Sequence, residues 1–347
     1  MKIKTDQMAV IQALRESLEE VPFLKMLNSP ALDKVSSPDF QVKIRIKNRS
    51  LTLLAEYKSN GQPRIARQSI LQIKKWLSEG RGDYGIFTAP YISPDVAKIC
   101  KDAGIGYMDL AGNCFFSFET IYVYREGKPN PSVQRRELRS LYSPKAERIL
   151  RALLSQPQQS WKTESLAEAA QVSFGQVANV KKHLADREWL VPNENGIRLS
   201  APGALLDEWA TQYRFTRNQV VDYYTLSEVA ECEYQLGEAC QRLGIRYALT
   251  AFSAAARLAP VVRYQRAVAY VESDLAALAD SLGLKSVTSG ATISLLIPYD
   301  EGVFFENQNT DGAQVVSPVQ IYLDLQNYRG RGQEAAQAIR KVIEQSW

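Results

Sequence analysis

The stretch REGKPNPSVQRRELRS, which marks a linker over residues 126–142, carries two prolines, a glycine and the clustered Arg135, Arg136 and Arg139. Proline fixes φ and removes a backbone donor, so neither a helix nor a central strand continues through such a segment. A single continuous core is therefore excluded, and at roughly one to two hundred residues per domain the 347 residues make two or three domains.

Upstream of the break the periodicity changes several times. Met8, Ile11, Leu14, Leu18 and Val21 recur at helical spacing and predict an amphipathic helix over 8–27. SPALDKVSSPD is turn material, and then FQVKIRI, KNRS and LTLLAEYK read as strand, turn and strand. A helix is expected from about Arg64 to Leu77, followed by the buried strand YGIFTAPY, the helix SPDVAKICKDAG and the strands IGYMDLAG and NCFFSFETIYVYR. This order predicts an α/β domain with a mixed sheet over residues 1–126.

After the basic linker, 127–142, three helical segments follow, SPKAERILRALLSQP, TESLAEAAQ and VSFGQVANVKKHLADREWL. VPNENGIRLS closes them, with NENG as a tight hairpin turn. Residues 143–212 are thus expected to form one domain. From 213 to 347 the strand candidates RYALT, RAVAYVE and TISLLIPY alternate with helices around Ala254, in DLAALADSLGL and at the C-terminus, which predicts an α+β domain.

Composition narrows the chemistry. With 45% hydrophobic and 23% charged residues the chain is neither disordered nor fibrous. Its single histidine, His183, excludes a His-rich metal centre or a Ser-His-Asp triad built elsewhere in the chain. Cys100, Cys114, Cys232 and Cys240 form no C-x-x-C pair and read as reduced thiols, and no apolar run approaches the length of a membrane span. The N-terminus lacks the apolar run of a signal peptide, so a cytoplasmic, membrane-free location is expected. Charge is uneven, with 22 basic against 15 acidic side chains through residue 142, 8 against 8 up to 212, and 12 against 15 beyond. A basic front suits contact with nucleic acid.

In a helix-turn-helix the second helix packs one face inward and presents the other to the major groove. Val172, Val177, Val180 and Leu184 make the inward stripe, whereas Gly175, Asn179, Lys182 and His183 point away. Ser173 is expected as N-cap and Gly175 at the closest approach to DNA. The hairpin with Asn193, Asn195 and Arg198 fits the phosphate-gripping wing of a winged-helix domain. The competing reading is a dimerisation or docking module, which the zero net charge of this segment favours.

Glu56-Tyr57-Lys58 ends the second hairpin strand, and alternation places both charged side chains on one face. Pro38-Asp39 lies seventeen residues upstream, at the start of the first strand, and Gln68 lies on the next helix. Asp39 and Glu56 holding Mg²⁺ beside Lys58 is the logic of the PD-(D/E)xK nucleases. The competing reading is a solvent-facing pair on a strand, or a fold retained without its chemistry, because the first strand presents Lys43 and Arg45 rather than an interior carboxylate. Asp109 and Asn113 flank a glycine turn and read first as turn formers. The last segment has neither a phosphate-cradling glycine loop nor the Gly-Ser and Asp-x-Asp of a nucleotidyltransferase.

SPKAERILRALL through LLDEWA, with YALTAFSAAARLAPVVRYQRAVAYV and VVSPVQIYLDLQNYRGRGQEAAQAIRK, resembles the AbiEi-like antitoxins of type IV toxin–antitoxin systems. LLAEYKSNGQPR, TAPYISP and GIGYMDLAGN in front of them resemble a restriction-endonuclease-like domain. The resemblance implies promoter binding by the winged helix, repression, and a C-terminal domain devoted to counteraction or protein interaction. It assigns DNA reading to Gln176, Asn179 and Lys182.

The expectation is a regulator that binds double-stranded DNA through Ser173, Gln176, Asn179, Lys182, His183 and Arg198, with Arg135, Arg136 and Arg139 on phosphates. It needs no cofactor, and a cognate protein and a second copy of the chain are its expected partners. The alternatives are a Mg²⁺-dependent deoxyribonuclease using Asp39, Glu56, Lys58 and Gln68, and an interaction protein without DNA.

Overall fold

A computed structural model describes residues 2–27, 38–130, 141–272, 275–328 and 330–347. The chain forms two compact units, one of residues up to 135 together with Leu184–Glu188, the other of the remaining residues. Both combine helices with a seven-stranded mixed sheet.

In the first unit the sheet order follows the chain order. Strands β1 (Leu24–Met26), β2 (Phe40–Ile46) and β3 (Arg49–Tyr57) pair antiparallel, and β3, β4 (Tyr84–Ala89) and β5 (Gly106–Asp109) pair parallel. Strands β6 (Cys114–Phe118) and β7 (Ile121–Arg125) return antiparallel. The parallel steps need crossovers, which α2 (Pro63–Ser78) and α3 (Pro94–Asp102) supply. Alternation on β3 separates two cores. Leu53, Ala55 and Tyr57 pack with Leu14 and Leu18 of α1 (Lys2–Glu19), while Leu54 packs with Ile70, Ile73 and Trp76 of α2 and with Val96 and Cys100 of α3. All six residues of β4 are buried, as the largely apolar YGIFTA demands of a strand covered on both faces, and the Thr88 hydroxyl is satisfied by the Glu56 carbonyl.

The helix expected over 8–27 ends at Glu19, and Leu24–Met26 instead pairs with β2. Pro22 is the cause: it lacks the amide the next helical turn requires and pushes Val21 out of the α region. Most of SPALDKVSSPD, and with it Arg135, Arg136 and Arg139 of the linker, lies outside the described residues. The four cysteines are free and buried, and burial pushes the Cys100 and Cys240 thiols up to about 12, far from thiolate reactivity at neutral pH.

The second unit opens with α4 (Pro144–Ser155), α5 (Thr163–Ala169) and α6 (Phe174–Asp186), followed by the hairpin β8 (Leu190–Asn193) and β9 (Gly196–Leu199). Trp161, between α4 and α5, forms an isolated antiparallel bridge with Ile197 of the hairpin. After α7 (Pro202–Gln212) comes a sheet in the order β13-β10-β14-β12-β11-β16-β15, built from β10 (Gln219–Tyr224), β11 (Tyr247–Leu249), β12 (Ala267–Val271), β13 (Lys285–Ser286), β14 (Ile293–Ile297), β15 (Gln308–Thr310) and β16 (Ala313–Val315). Its helices are α8 (Val229–Leu243), α9 (Ala251–Leu258), α10 (Leu275–Ser281), α11 (Pro318–Gln326) and α12 (Gly332–Gln345).

Helix α4 is buried almost all round, and of its charges only Lys145 is exposed. Glu147 accepts from Arg217 Nη1 at 2.7 Å and from the Tyr299 hydroxyl. Arg148 grips Asp300 with two bonds of 2.7 and 2.9 Å, and Arg151 donates to Gln320 Oε1 at 2.6 and 3.1 Å. The three-helix segment and the α/β segment after it therefore share one core. Gln320 leads on to Asp324, whose carboxylate also receives the hydroxyls of Tyr213, Thr250 and Tyr270, and burial pushes that carboxyl up to about 6.

Removing one partner of a buried ion pair strands the other. Arg148→Ala is expected to lower the unfolding free energy by about 3 kcal/mol, read by denaturant titration. A loss within about 0.5 kcal/mol, the range of ordinary surface substitutions, would mean that the pair does not tie the segments together.

Candidate nucleic-acid interface

Helix α6 starts where Ser173 Oγ accepts the Gln176 amide at 3.3 Å, which satisfies one of the orphan donors of the first turn. Val177, Val180 and Leu184 are buried, whereas Val172 is only half-buried. Gly175 and Lys182 are exposed, and Asn179 and His183 are half-exposed. Gln176 is turned aside, its amide donating to Ser143 Oγ at 3.4 Å. The sequence reading passed over Phe174, which is 60% exposed beside a cleft of about 720 Å³ between α5 and α6. Glu164 and Glu168 line that cleft. Lys145 lines it as well, and Gly175, Asn179 and Lys182, at i, i+4 and i+7, form the outward stripe of α6.

The hairpin is set by its turn. Asn193 Oδ1 accepts the Asn195 amide at 3.0 Å, and Gly196 takes φ of 133°. A Cβ on Gly196 would come within 2.2 Å of the Trp161 carbonyl oxygen, so the Trp161 bridge requires glycine there. Arg198 is half-buried and donates from Nη1 to Gln158 Oε1 at 2.8 Å, which holds the guanidinium on the hairpin.

In the first unit Asp39, Glu56 and Lys58 come together. Phe40 pairs with Ala55, so the register carried back one residue sets Asp39 opposite Glu56, and Asp39 Oδ2 accepts the Tyr57 amide at 2.9 Å. Lys58 Nζ donates to Glu56 Oε1. Burial pushes the Glu56 carboxyl above its ordinary value, the Lys58 hydrogen bond opposes that push, and the Asp39 charge adds to it. Lys43 and Arg45 are exposed, and at 3.3 Å per residue they lie about 13 and 20 Å along β2 from Asp39. Gln68 is on the exposed side of α2 and, among the described residues, forms no hydrogen bond with Asp39, Glu56 or Lys58. Asp109 accepts the amides of Ile92 and Asn113 and the Asn113 side chain, which spends the carboxylate on the turn. Among the described residues no three His, Cys, Asp or Glu side chains gather as a metal cluster, and no helix is long and apolar enough to cross a membrane.

A similarity to a known family runs from the last strand of the hairpin through the segment after it. Residues 198–345 match the model of a family described as transcriptional regulator, AbiEi antitoxin, type IV TA system. The match begins inside β9 and runs over the α/β part of the second unit, so the AbiEi-like region is the one clasped to α4 by Glu147, Arg148 and Arg151. It covers neither the three helices α4–α6 nor the first unit. No curated protein and no solved structure matches the chain.

The pull of Lys58 and the push of Asp39 on Glu56 can be separated. Lys58→Ala is expected to move the Glu56 pKa further up and Asp39→Asn to move it down, read by NMR titration of labelled glutamate carboxyl carbons. An unchanged Glu56 titration in both variants would mean that the three groups do not share a site.

Proposed function

We propose that the chain is a DNA-binding transcriptional regulator of antitoxin type. Its helix α6 reads base edges through Asn179 and Lys182, and its β8–β9 hairpin and basic first unit hold phosphates. The observation that carries this reading is the order of the second unit: three helices, a Trp161 bridge to a two-stranded hairpin, and a third helix whose exposed stripe is donor-bearing. That is the order of a winged helix-turn-helix. The AbiEi-like region behind it supports a role in regulation and a toxin protein as partner. A homodimer reading two half-sites completes the proposal.

Asn179→Ala is expected to weaken binding to DNA from upstream of the chain's own reading frame by roughly 1–3 kcal/mol, with little effect on unrelated duplex. Lys182→Ala should weaken both, and more at low salt. Fluorescence anisotropy at two salt concentrations distinguishes the two. Wild-type affinity in both variants would remove α6 as the reader.

A second reading is favoured by Asp39, Glu56 and Lys58 on one sheet face in a helix, three strands, helix, strand order, the arrangement of a restriction-endonuclease-like domain. Mg²⁺ takes one or two carboxylates and keeps several waters, so Asp39 and Glu56 are a sufficient donor set and would hold it. Bound there, the ion would act as a Lewis acid on a phosphodiester. Lys58 would release Glu56 and stabilise charge on the attacked phosphate. The regulator reading ranks first because Lys58 is already spent on Glu56, and the expected result is no cleavage of supercoiled, linear or single-stranded DNA in Mg²⁺ or Mn²⁺. Cleavage that disappears in both Glu56→Ala and Lys58→Ala would put the nuclease first.

A further inference from the structure

One face of the second unit's sheet carries a cleft of about 1080 Å³ in which charge and aromaticity are combined. Val268, Ser294 and Asp222 stand in register across β12, β14 and β10 and form part of its floor. Tyr328, just beyond α11, forms one wall, with Phe252 and Phe215 set edge-on to it at centroid distances of 5.2 and 5.9 Å. Among the described residues, four arginines line it: Arg214, Arg263, Arg266 and Arg331.

These cations stand in a segment that is otherwise acidic, since residues 213–347 hold 12 basic against 15 acidic side chains. Their pairing is incomplete. Arg263 is exposed and, among the described residues, has no carboxylate or hydrogen-bond partner. Among the described residues Arg214 donates to the carbonyls of Thr211 and Tyr213 and to no carboxylate. Arg266 donates to the Ala291 carbonyl at 3.0 Å and lies 3.9 Å from Asp222, while Arg331 is paired with Glu334. Asp222 also accepts the Ser294 hydroxyl at 2.6 Å, so an acceptor sits inside the ring of donors.

We infer that this cleft binds a nucleotide, its base against the Tyr328 wall and its phosphates on Arg263 and the neighbouring arginines. The ligand must bring three things together: a planar ring for the aromatic wall, a multiply charged anion for the guanidinium groups, and hydrogen-bond donors for Asp222. A nucleoside polyphosphate has all three, in its base, its phosphates and its hydroxyl or amino groups. An acidic peptide would bring its carboxylates against Asp222, and an apolar ligand would leave the arginines unanswered. The volume lies just above the usual range for small-molecule sites, whose upper end is about 1,000 Å³. The inference does not depend on the regulator reading, because binding is read without DNA.

The test uses the full chain and fluorescent N-methylanthraniloyl derivatives of ATP and GTP. Saturable binding is expected, weakened at least about tenfold by Arg263→Glu and by Tyr328→Leu, with circular dichroism unchanged in the exposed Arg263→Glu variant. Unlabelled nucleoside triphosphate should displace the probe at concentrations at least about tenfold below those of tripolyphosphate. No saturation up to about 1 mM, unchanged affinity in Arg263→Glu, or equal competition by tripolyphosphate would overturn the inference. A short single-stranded oligonucleotide that competes better than any mononucleotide would overturn it too, and would assign the cleft to a nucleic-acid strand.

Discussion

Burying charge is expensive unless each group meets a partner in good geometry, and helix α4 buries three charged side chains, Glu147, Arg148 and Arg151. Glu147 finds that partner in Arg217 and Tyr299 and Arg148 finds it in Asp300, whereas Arg151 donates to the neutral Gln320 oxygen and, among the described residues, its Nη1 has no hydrogen-bond partner. The pairs add little net stability over an apolar interface of the same shape, but any other docking of α4 would leave buried charges unanswered. The same helix is the first of the three that position α6. Its partners reach from Arg217 to Gln320, so the hairpin-and-helix segment is held by the AbiEi-like region rather than tethered beside it. Arg151 continues inward to Gln320 and Asp324, where three hydroxyls and an amide surround one carboxylate.

The first unit solves a different problem. Two carboxylates set opposite each other on adjacent strands repel, and burial adds to the cost of ionising Glu56. Lys58 offsets both effects, and the Tyr57 amide holds Asp39 in place. The arrangement needs no further cation as it stands, and the nuclease reading would have a divalent cation take over the role of Lys58. The two functional readings differ over which cation these carboxylates serve.

Much of this was legible from side-chain period. Alternation along LTLLAEYK put Glu56 and Lys58 on one face of their strand, and the inward valines of α6 named its outward stripe. Legibility failed where a residue's partner is distant in the chain. Gln176 lies on the third helix where a reader of bases would stand, yet Ser143 takes its amide. Helix α8 was passed over because its buried side mixes Cys232, Leu236, Ala239 and Cys240 with the charged Glu233, a weak apolar signal. Helix α11 was missed for the opposite reason, since IYLDL is buried on every side, Asp324 included, so no period emerges.

The sequence by itself determined the elements and their breaks: the proline-bearing linker, the hairpin turn at NENG, the buried strand YGIFTA and the spacing of Glu56 and Lys58. These depend on local backbone chemistry and on periods of two and 3.6, which a linear string records. Only the tertiary structure decided which charges are buried, that Asp39 falls opposite Glu56, that Gly196 must clear the Trp161 carbonyl, and that four arginines and three aromatic rings share one cleft. Each of those joins residues far apart in the chain. Their meeting is fixed by packing and by the penalty for unpaired buried charge, neither of which is a property of any one segment.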